Sequence, residues 1–173
     1  MTDTLTAERI IELLGLKPHP TCGYVAETYR AQGRIMDEAL PTAYGGSRPF
    51  ASVLYFLVTP DAQIRLHRIR SDQMYHHYLG DPLEVLLLYP DGTGAIKLVG
   101  SDITADVRPQ LLIPGGTFHT SRIREGSPTA FALLGTTEWP GFEPPDLEPG
   151  DPDTLMAKYP AFRQAMEDFL RKP

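Results

Sequence analysis

The sequence of 173 residues contains only one cysteine, Cys22. One thiol cannot form an intrachain disulfide or a cysteine-rich zinc module, so neither is expected to support the fold. A thiol without an oxidised partner is typical of a reducing compartment, which predicts a cytoplasmic protein. We interpret Cys22 itself as a buried, unreactive thiol, because no basic partner stands near it in the sequence.

Long apolar runs and basic clusters are also missing. No run approaches the roughly 20 apolar residues that a membrane-spanning helix needs, and the first residues lack the basic and apolar segments of a secretory leader. Asp and Glu outnumber Lys and Arg by 22 to 16, so the formal net charge is -6. This balance makes nucleic acid and anionic membranes poor partners.

Proline and glycine, in contrast, are abundant, with 17 and 15 residues. They stand at the ends of short apolar runs, where they favour turns between strands over long helices. Such spacing is typical of an all-β sandwich or barrel, and the length suits one domain with a barrel core over residues 50–140. The predicted strands cover residues 23–30, 51–59, 63–70, 73–79, 83–89, 95–99, 110–113, 118–123 and 130–137.

Helices are predicted only near the two ends of the chain. An amphipathic stripe lies between a possible N-cap at Thr6 and a left-handed C-cap at Gly15. Asp153 is the expected cap of a short C-terminal helix, and another can begin at Pro160. The predicted helices cover residues 5–14, 154–158 and the residues that follow Pro160.

Three longer segments complete the predicted layout. Residues 31–48 are polar and contain glycine, so a loop or hairpin is expected there. The proline-rich residues 140–152 are expected to lie over the barrel. The nearly continuous apolar run at 83–89 predicts a strand covered on both faces. A second subunit or the terminal helices could supply its outer cover.

Histidines concentrate where chemistry is expected. Three of the five lie within residues 65–80, which are predicted to form two short strands joined by a polar turn. His119 follows a tight glycine turn at 114–116 and supplies a fourth. If the two stretches meet inside one barrel, their side chains form a polar pocket.

Side-chain alternation narrows the residues that could line this pocket. Arg65, His67 and Ile69 are expected to share one face of the first strand. In the second strand, one face carries Gln73, Tyr75 and His77, and the other carries Met74, His76 and Tyr78. Either face could line the pocket, and a bulge could redirect part of the set.

The spacing of the first stretch resembles a motif of the cupins, G-x5-H-x-H-x3-4-E-x6-G. His67 and Gly80 match it. Ile69 stands in place of the second His, and Gln73 stands in place of the Glu. The chain therefore keeps the spacing while it loses two of the four usual metal ligands.

The second stretch resembles the other cupin motif, G-x5-P-x-G-x2-H-x3-N. Pro114, Gly116 and His119 match it. Arg108 replaces the first Gly, and Ile123 replaces the Asn.

Most of the chain resembles the small, largely uncharacterised cupins called cupin family 5. The resemblance implies a jelly-roll barrel, usually a homodimer, similar in shape to the sugar-nucleotide epimerases of rhamnose biosynthesis. The sequence departs from the family pattern at Gln73, Tyr75 and Trp139. The matching stretches are HPTCGY at 19–24, ETYR at 27–30, LYFL at 54–57, HRIRSD at 67–72, GDPLE at 80–84, IPGG at 113–116, and PGF at 140–142 followed by Asp146.

A metal site is one interpretation of the pocket. His67, Gln73 and His119 could hold a divalent transition metal, with His76 or His77 as a further ligand if the strand bulges. Two imidazoles and one amide form a neutral and weak set of ligands. A metal-free polar pocket, with no cofactor required, is the other interpretation.

Acid–base catalysis is a further possibility. Histidine titrates near neutrality, so His67 or His119 could act as a general base. The epimerases that the chain resembles pair a His base with a Tyr acid, and Tyr75 or Tyr78 could be that acid. Otherwise these aromatic residues simply fill the barrel interior. Three residues could orient the base: Asp72, Glu84 and Tyr55.

The expected ligand is a small polar molecule. Arg65, if it points inward, favours an anionic phosphate or carboxylate; a solvated or dimer-facing Arg65 is the alternative. The ligand-binding candidates are Arg65, Gln73, His76, His77 and Tyr55.

The sequence thus predicts an all-β cupin jelly roll with an N-terminal helix and short C-terminal helices, assembled as a homodimer. The leading functional hypothesis is an isomerase or epimerase. A non-catalytic ligand-binding module and a metal-dependent oxygenase or lyase are the alternatives.

Overall fold

The computed structural model describes residues 5–41, 44–104, 106–124 and 126–171. Residues 1–4 lie outside this range, and the expectation that the chain lacks a secretory leader depends partly on them. The strands are β1 (Lys17–Pro18), β2 (Tyr24–Arg30), β3 (Arg34–Ile35), β4 (Arg48–Pro49), β5 (Ser52–Val58), β6 (Ile64–Arg68), β7 (Asp72–Gly80), β8 (Leu83–Leu88), β9 (Gly94–Val99), β10 (Gln110–Ile113), β11 (Phe118–Ile123), β12 (Ala132–Trp139) and β13 (Glu148–Pro149). The α-helices are α1 (Ala7–Leu14), α2 (Pro152–Lys158) and α3 (Arg163–Leu170), with single 3-10 turns at Asp37–Ala39, Pro144–Asp146 and Pro160–Phe162.

Two antiparallel sheets face each other across a hydrophobic core. The six-stranded sheet has the order β1-β2-β5-β12-β7-β10, and the five-stranded sheet has the order β13-β6-β11-β8-β9. Phe56 and Leu134 from one sheet pack against Leu87 and Ile123 from the other. This arrangement confirms the predicted all-β architecture. It also extends the sheet before residue 50, because β2 pairs with β5.

Strand β8 is buried along its whole length, as its apolar composition predicts. Its inward side chains belong to the core between the sheets. Its outward side chains, Leu86 and Leu88, pack under Leu155, Met166 and Phe169 of α2 and α3. Each such buried side chain contributes roughly 1.5–3 kcal/mol to stability. The C-terminal helices therefore supply the outer cover of this strand.

The helix ends follow local capping chemistry, with one correction. Thr6 caps α1 through its hydroxyl, which accepts from the Arg9 amide, and Gly15 ends the helix with φ 63°. Helix α2 is capped by Asp151 and not by Asp153 as predicted, because the Asp151 carboxylate accepts from the Thr154 amide at 2.9 Å. None of the helices in the described ranges is long and apolar enough to cross a membrane.

The polar segment before β5 forms a short hairpin, in which β3 pairs with β4. The hairpin holds the proline-rich segment through a buried ion pair. Arg48 donates from Nε and Nη2 to the two carboxylate oxygens of Asp146, both at 2.8 Å. This contact fixes Phe142 and Leu147, on either side of the 3-10 turn, against the interior of the barrel.

Candidate functional site

A cavity of about 60 Å³ lies between the two sheets. Residues of β5, β6, β7 and β12 form much of its wall. The loop before β2 and the proline-rich segment close the remainder. Its lining residues are His19, Cys22, Val25, Leu54, Phe56, Ile64, His67, Ile69, Gln73, Tyr75, Thr136, Glu138, Phe142 and Leu147.

Two of the predicted histidines meet beside this cavity. His67 on β6 pairs directly with His119 on β11, and the centres of their rings lie 4.4 Å apart. Both side chains are buried. Burial disfavours the charged imidazolium, so the pKa of His67 is lowered and that of His119 is lowered well below its ordinary value. Both rings are therefore neutral at pH 7.

Hydrogen bonds assign different roles to the two rings. His119 Nε2 lies 3.1 Å from the Tyr75 hydroxyl and Nδ1 lies 3.4 Å from the Thr117 carbonyl oxygen. Nδ1–H therefore donates to the carbonyl, and Nε2 accepts from Tyr75. His67 Nδ1 donates to the Arg65 carbonyl oxygen at 2.7 Å. Its Nε2 keeps a free lone pair, because no described residue hydrogen-bonds to it.

Strand β7 contributes Gln73 and Tyr75, which are both buried and line the cavity. The face of this strand that carries Gln73 and Tyr75 is therefore the inner one. Burial raises the pKa of the Tyr75 hydroxyl well above its ordinary value, which keeps it protonated as the donor to His119. Gln73 has no hydrogen-bond partner among the described side chains, so its amide is available to a ligand.

Glu138 is a site residue that the sequence-based prediction missed. It lies on β12, opposite Ser52 of β5 and Gln73 of β7. The Ser52 hydroxyl donates to its carboxylate at 2.6 Å. Burial nevertheless raises the pKa of Glu138 to about 7, because desolvation outweighs this hydrogen bond. The carboxyl group is thus poised to exchange a proton near neutral pH.

A signal for Glu138 exists in the sequence. Ala132, Leu134 and Thr136 alternate with outward residues, and Glu138 continues the same inward face. The predicted strand ended at residue 137, whereas β12 continues to Trp139, so the last inward position was overlooked.

The loop before β2 supplies two more residues of the cavity wall, neither of which was among the predicted pocket residues. His19 and Cys22 both line the cavity. The Cys22 thiol lies 3.4 Å from the Thr21 hydroxyl, and burial raises its pKa to about 11. A thiol in this state is protonated and unreactive, as predicted for Cys22.

Three of the predicted site residues lie on the outer face of the six-stranded sheet. Tyr55 and Tyr78 make an edge-to-face contact with ring centres 5.9 Å apart. His76 Nδ1 lies 3.1 Å from the Gln110 amide nitrogen. The structure does not bring these side chains to the cavity. Even-numbered residues of β7 point away from the core, and Tyr55 lies on the outer face of β5, where it packs with Leu57 and Leu133. Trp139 does not line the cavity either.

Arg65 and His77 also lie apart from the cavity. The expectation that Arg65 shares a face with His67 is wrong, because the β6–β11 pairing shifts register between His119 and Ser121. This shift leaves Arg65 exposed to solvent. His77 lies farther along β7, and its Nε2 is 3.1 Å from the Asp81 carbonyl oxygen.

Two predicted orienting residues contact no histidine. Asp72 accepts from the Gly115 amide at 2.7 Å and closes the turn before β11. Glu84 pairs with Arg122 and Arg124 in an open cleft of about 540 Å³ on the outside of the five-stranded sheet. We assign the functional site to the smaller cavity, because the charged side chains of this cleft are largely paired with one another.

The residues present do not fit a resident divalent metal. The described residues contain no group of three His, Cys, Asp or Glu side chains close enough to bind one ion. Of the predicted set, His119 has its Nε2 lone pair occupied by the Tyr75 hydroxyl. That leaves His67 and the neutral Gln73, which are too few and too weak as donors.

Two facing antiparallel sheets with a histidine-lined interior define the protein as a cupin-type jelly roll. A family model described as Cupin superfamily (DUF985), Cupin_5, matches residues 8–149, and the chain belongs to this family. The predicted family and its jelly-roll fold are confirmed.

Known proteins are similar to this chain in sequence or in fold. The uncharacterized protein YML079W of Saccharomyces cerevisiae is 28% identical over 145 residues, 79% of this chain and 71% of the yeast protein. A hypothetical protein from Leishmania major has a solved structure with a TM-score of 0.86 and 28% identity, covering 95% of this chain and 98% of that one. The cupin-2 domain Rru_A2000 of Rhodospirillum rubrum, at 14% identity and a TM-score of 0.57 over 90% of both chains, shows the fold alone.

The Tyr75–His119 hydrogen bond gives a testable contribution to stability. Tyr75→Phe leaves the buried His119 Nε2 without a donor, so we expect the free energy of unfolding to fall by about 1–3 kcal/mol. Urea denaturation at pH 7 measures it. Tyr29→Phe, at a side chain that is 58% exposed, is the matched control and should change stability by less than about 0.5 kcal/mol. Equal effects of the two variants would contradict the hydrogen bond.

Proposed function

We propose that this cupin is an isomerase that moves protons within a small polar molecule, using Glu138 and His67 as its acid–base pair. One observation carries the proposal. A carboxyl group with a pKa of about 7 and a neutral imidazole with a free Nε2 line the same cavity, and both side chains are buried. Groups that titrate near the working pH are the efficient general acids and bases.

The arrangement suits a proton shift next to a carbonyl group. One member of the pair removes a proton from the carbon beside the carbonyl, and the other protonates the carbonyl oxygen to give an enol. Return of a proton to the other face of the same carbon, with the enol O–H proton going back to the group that supplied it, completes an epimerisation. In a hydroxycarbonyl compound the proton can instead go to the former carbonyl carbon while the neighbouring hydroxyl loses its proton to the other group, which moves the carbonyl. The two groups exchange their protonation states during the reaction, so no external oxidant or reductant is needed.

Neighbouring residues support these roles. The Tyr75–His119–Thr117 chain of hydrogen bonds holds the His119 ring in place, and that ring lies against His67. Tyr75 is therefore a positioning residue in this proposal, and His119 packs beside the base. The Gln73 amide, which faces the cavity, is the group available to orient the substrate.

Hydrogen–deuterium exchange at carbon tests the proposal, because it detects proton removal in any compound that the site accepts. The protein is incubated in D₂O with a panel of small hydroxycarbonyl compounds and 2-oxo acids, and NMR follows deuterium entering the carbon-bound positions. We expect catalysed exchange in at least one compound. Glu138→Gln and His67→Gln should each slow it by about 100-fold or more.

The control is His76→Gln, which changes a histidine on the outer face and should retain the wild-type rate. Exchange that continues unchanged in Glu138→Gln would overturn the proposal. Binding of a compound without any exchange would favour the second candidate, a non-catalytic ligand carrier. The largely apolar wall formed by Val25, Leu54 and Phe56 is the observation that supports such a carrier.

A further inference from the structure

The charges around the cavity indicate which ligands it can accept. Among the described residues that line it, none is Lys or Arg. Glu138 is its acidic residue, and His67 is neutral. Arg30, whose charge acts on Glu138, is engaged elsewhere: it donates to both Glu27 oxygens and to the Phe142 carbonyl oxygen.

An anionic ligand would consequently be poorly accommodated. It would lose its hydration, meet no cationic side chain on the wall, and lie close to the Glu138 carboxyl group. Burying such an unpaired charge costs several kcal/mol. The sequence had favoured an anion through Arg65, but that side chain is exposed and outside the cavity.

A neutral oxygen-bearing ligand, in contrast, finds complementary partners. The Gln73 amide can donate to a carbonyl oxygen, and Glu138 can do so when it is protonated. When Glu138 is ionised, its carboxylate accepts from a hydroxyl or amide group, as His67 Nε2 does. The Thr136 hydroxyl is buried in the same wall and has no hydrogen-bond partner. Such an orphan group needs a partner, and a bound ligand could supply it.

The size of the cavity limits the ligand further. A buried water needs about 10–15 Å³, so a volume of about 60 Å³ holds roughly four to six water-sized groups. Sites for larger organic ligands enclose about 300–1,000 Å³. Val25, Leu54, Phe56 and Phe142 make part of the wall apolar, which suits a ligand with one small apolar end.

We infer that the site binds a neutral molecule of about four to six non-hydrogen atoms, with a carbonyl or hydroxyl oxygen and a small apolar end, and discriminates against the corresponding carboxylate. This inference rests on the proposed function in one respect only, because it names the substrate class of the same site. The discrimination itself is a property of binding. It can therefore be tested separately from catalysis.

Acetamide and acetate form a matched pair of probes, because they have nearly the same shape and differ in charge. Each is titrated into protein labelled with ¹⁵N-histidine at pH 8 and constant ionic strength, and the His67 resonance is identified by its loss in His67→Gln. We expect saturable shifts of this resonance with acetamide, at an affinity at least about tenfold higher than that for acetate. Arg65→Gln is the control and should leave both affinities unchanged.

A second variant tests the physical cause. Glu138→Gln removes the carboxylate without changing the side-chain shape, so acetate should bind more tightly than it does to the wild type. Equal or tighter binding of acetate to the wild type would overturn the inference, as would the absence of any His67 shift with acetamide. Acetamide binding without proton exchange in any panel compound would leave the inference standing and reject the proposed isomerase. Exchange restricted to the 2-oxo acids, which are anions, would overturn the inference and leave the proposed isomerase standing.

Discussion

Asp146→Asn is expected to lower the free energy of unfolding by about 3–5 kcal/mol. The side chain of Asp146 is fully buried, and that of Arg48 is 5% exposed. Their two parallel hydrogen bonds compensate both charges, and the ion pair raises the pKa of Arg48. With Asn in place, the guanidinium keeps its charge in a buried position and loses its counterion. Urea denaturation at pH 7 measures the loss.

Glu148→Gln provides the matched control for this prediction. Glu148 pairs with Arg68 at 2.7 Å, and their side chains are 54% and 34% exposed. Exposed pairs contribute about 0–1 kcal/mol, so this variant should have almost wild-type stability. If Asp146→Asn lowered the free energy of unfolding as little as the control does, the Arg48–Asp146 ion pair would not stabilise the fold.

The Arg48–Asp146 ion pair also helps to hold the wall of the cavity in place. Asp146 also accepts from the Glu143 amide at 3.1 Å, which closes the 3-10 turn of the proline-rich segment. Phe142 and Leu147 flank this turn and form part of the cavity wall. Loosening of the segment would therefore open the small cavity and admit larger ligands than the intact protein.

The sequence was sufficient to predict the architecture, because turn residues and apolar runs set the strand boundaries locally. It also predicted that His67 and His119 meet, through the spacing shared with cupins. The resulting pair lies in register across β6 and β11. These predictions depend on patterns that tolerate an error of one or two residues.

The side-chain directions near the site could not be obtained in this way. A shift of one residue in strand register reverses every later side chain, and three such shifts occur among the strands that form the site. The first separates Arg65 from His67. The second lies between Leu133 and Leu134 on β12, opposite the end of β7. Bulges depend on pairing between distant segments, so local sequence does not reveal them.

The position of the acid is the clearest difference from the cupin motif. Gln73 stands where the motif has Glu, and Glu138 lies directly across from it on the neighbouring strand β12. A carboxyl group is thus retained inside the barrel but comes from another element. It belongs to no group of three described His, Cys, Asp or Glu side chains that could hold a metal ion.

The raised pKa of Glu138 should make the free energy of unfolding depend on pH. The pKa of Glu138 is 4.5 when unfolded and about 7 when folded. Below pH 4.5 it is protonated in both states. As the pH rises from 4.5 to 7, the unfolded chain ionises while the folded protein retains the proton, so the folded state loses roughly 3 kcal/mol of stability.

Glu138→Gln should remove this loss. We expect the difference in unfolding free energy between variant and wild type to move in favour of the variant by roughly 3 kcal/mol between pH 4 and pH 8. The lowered pKa values of His67 and His119 affect both proteins and cancel in the difference. Ser52→Ala, which removes the hydroxyl donor to the carboxylate, should extend the loss to higher pH. A difference that stays constant between pH 5 and pH 8 would mean that Glu138 titrates as an ordinary surface acid. Glu138 would then not be suited to donate a proton near neutral pH.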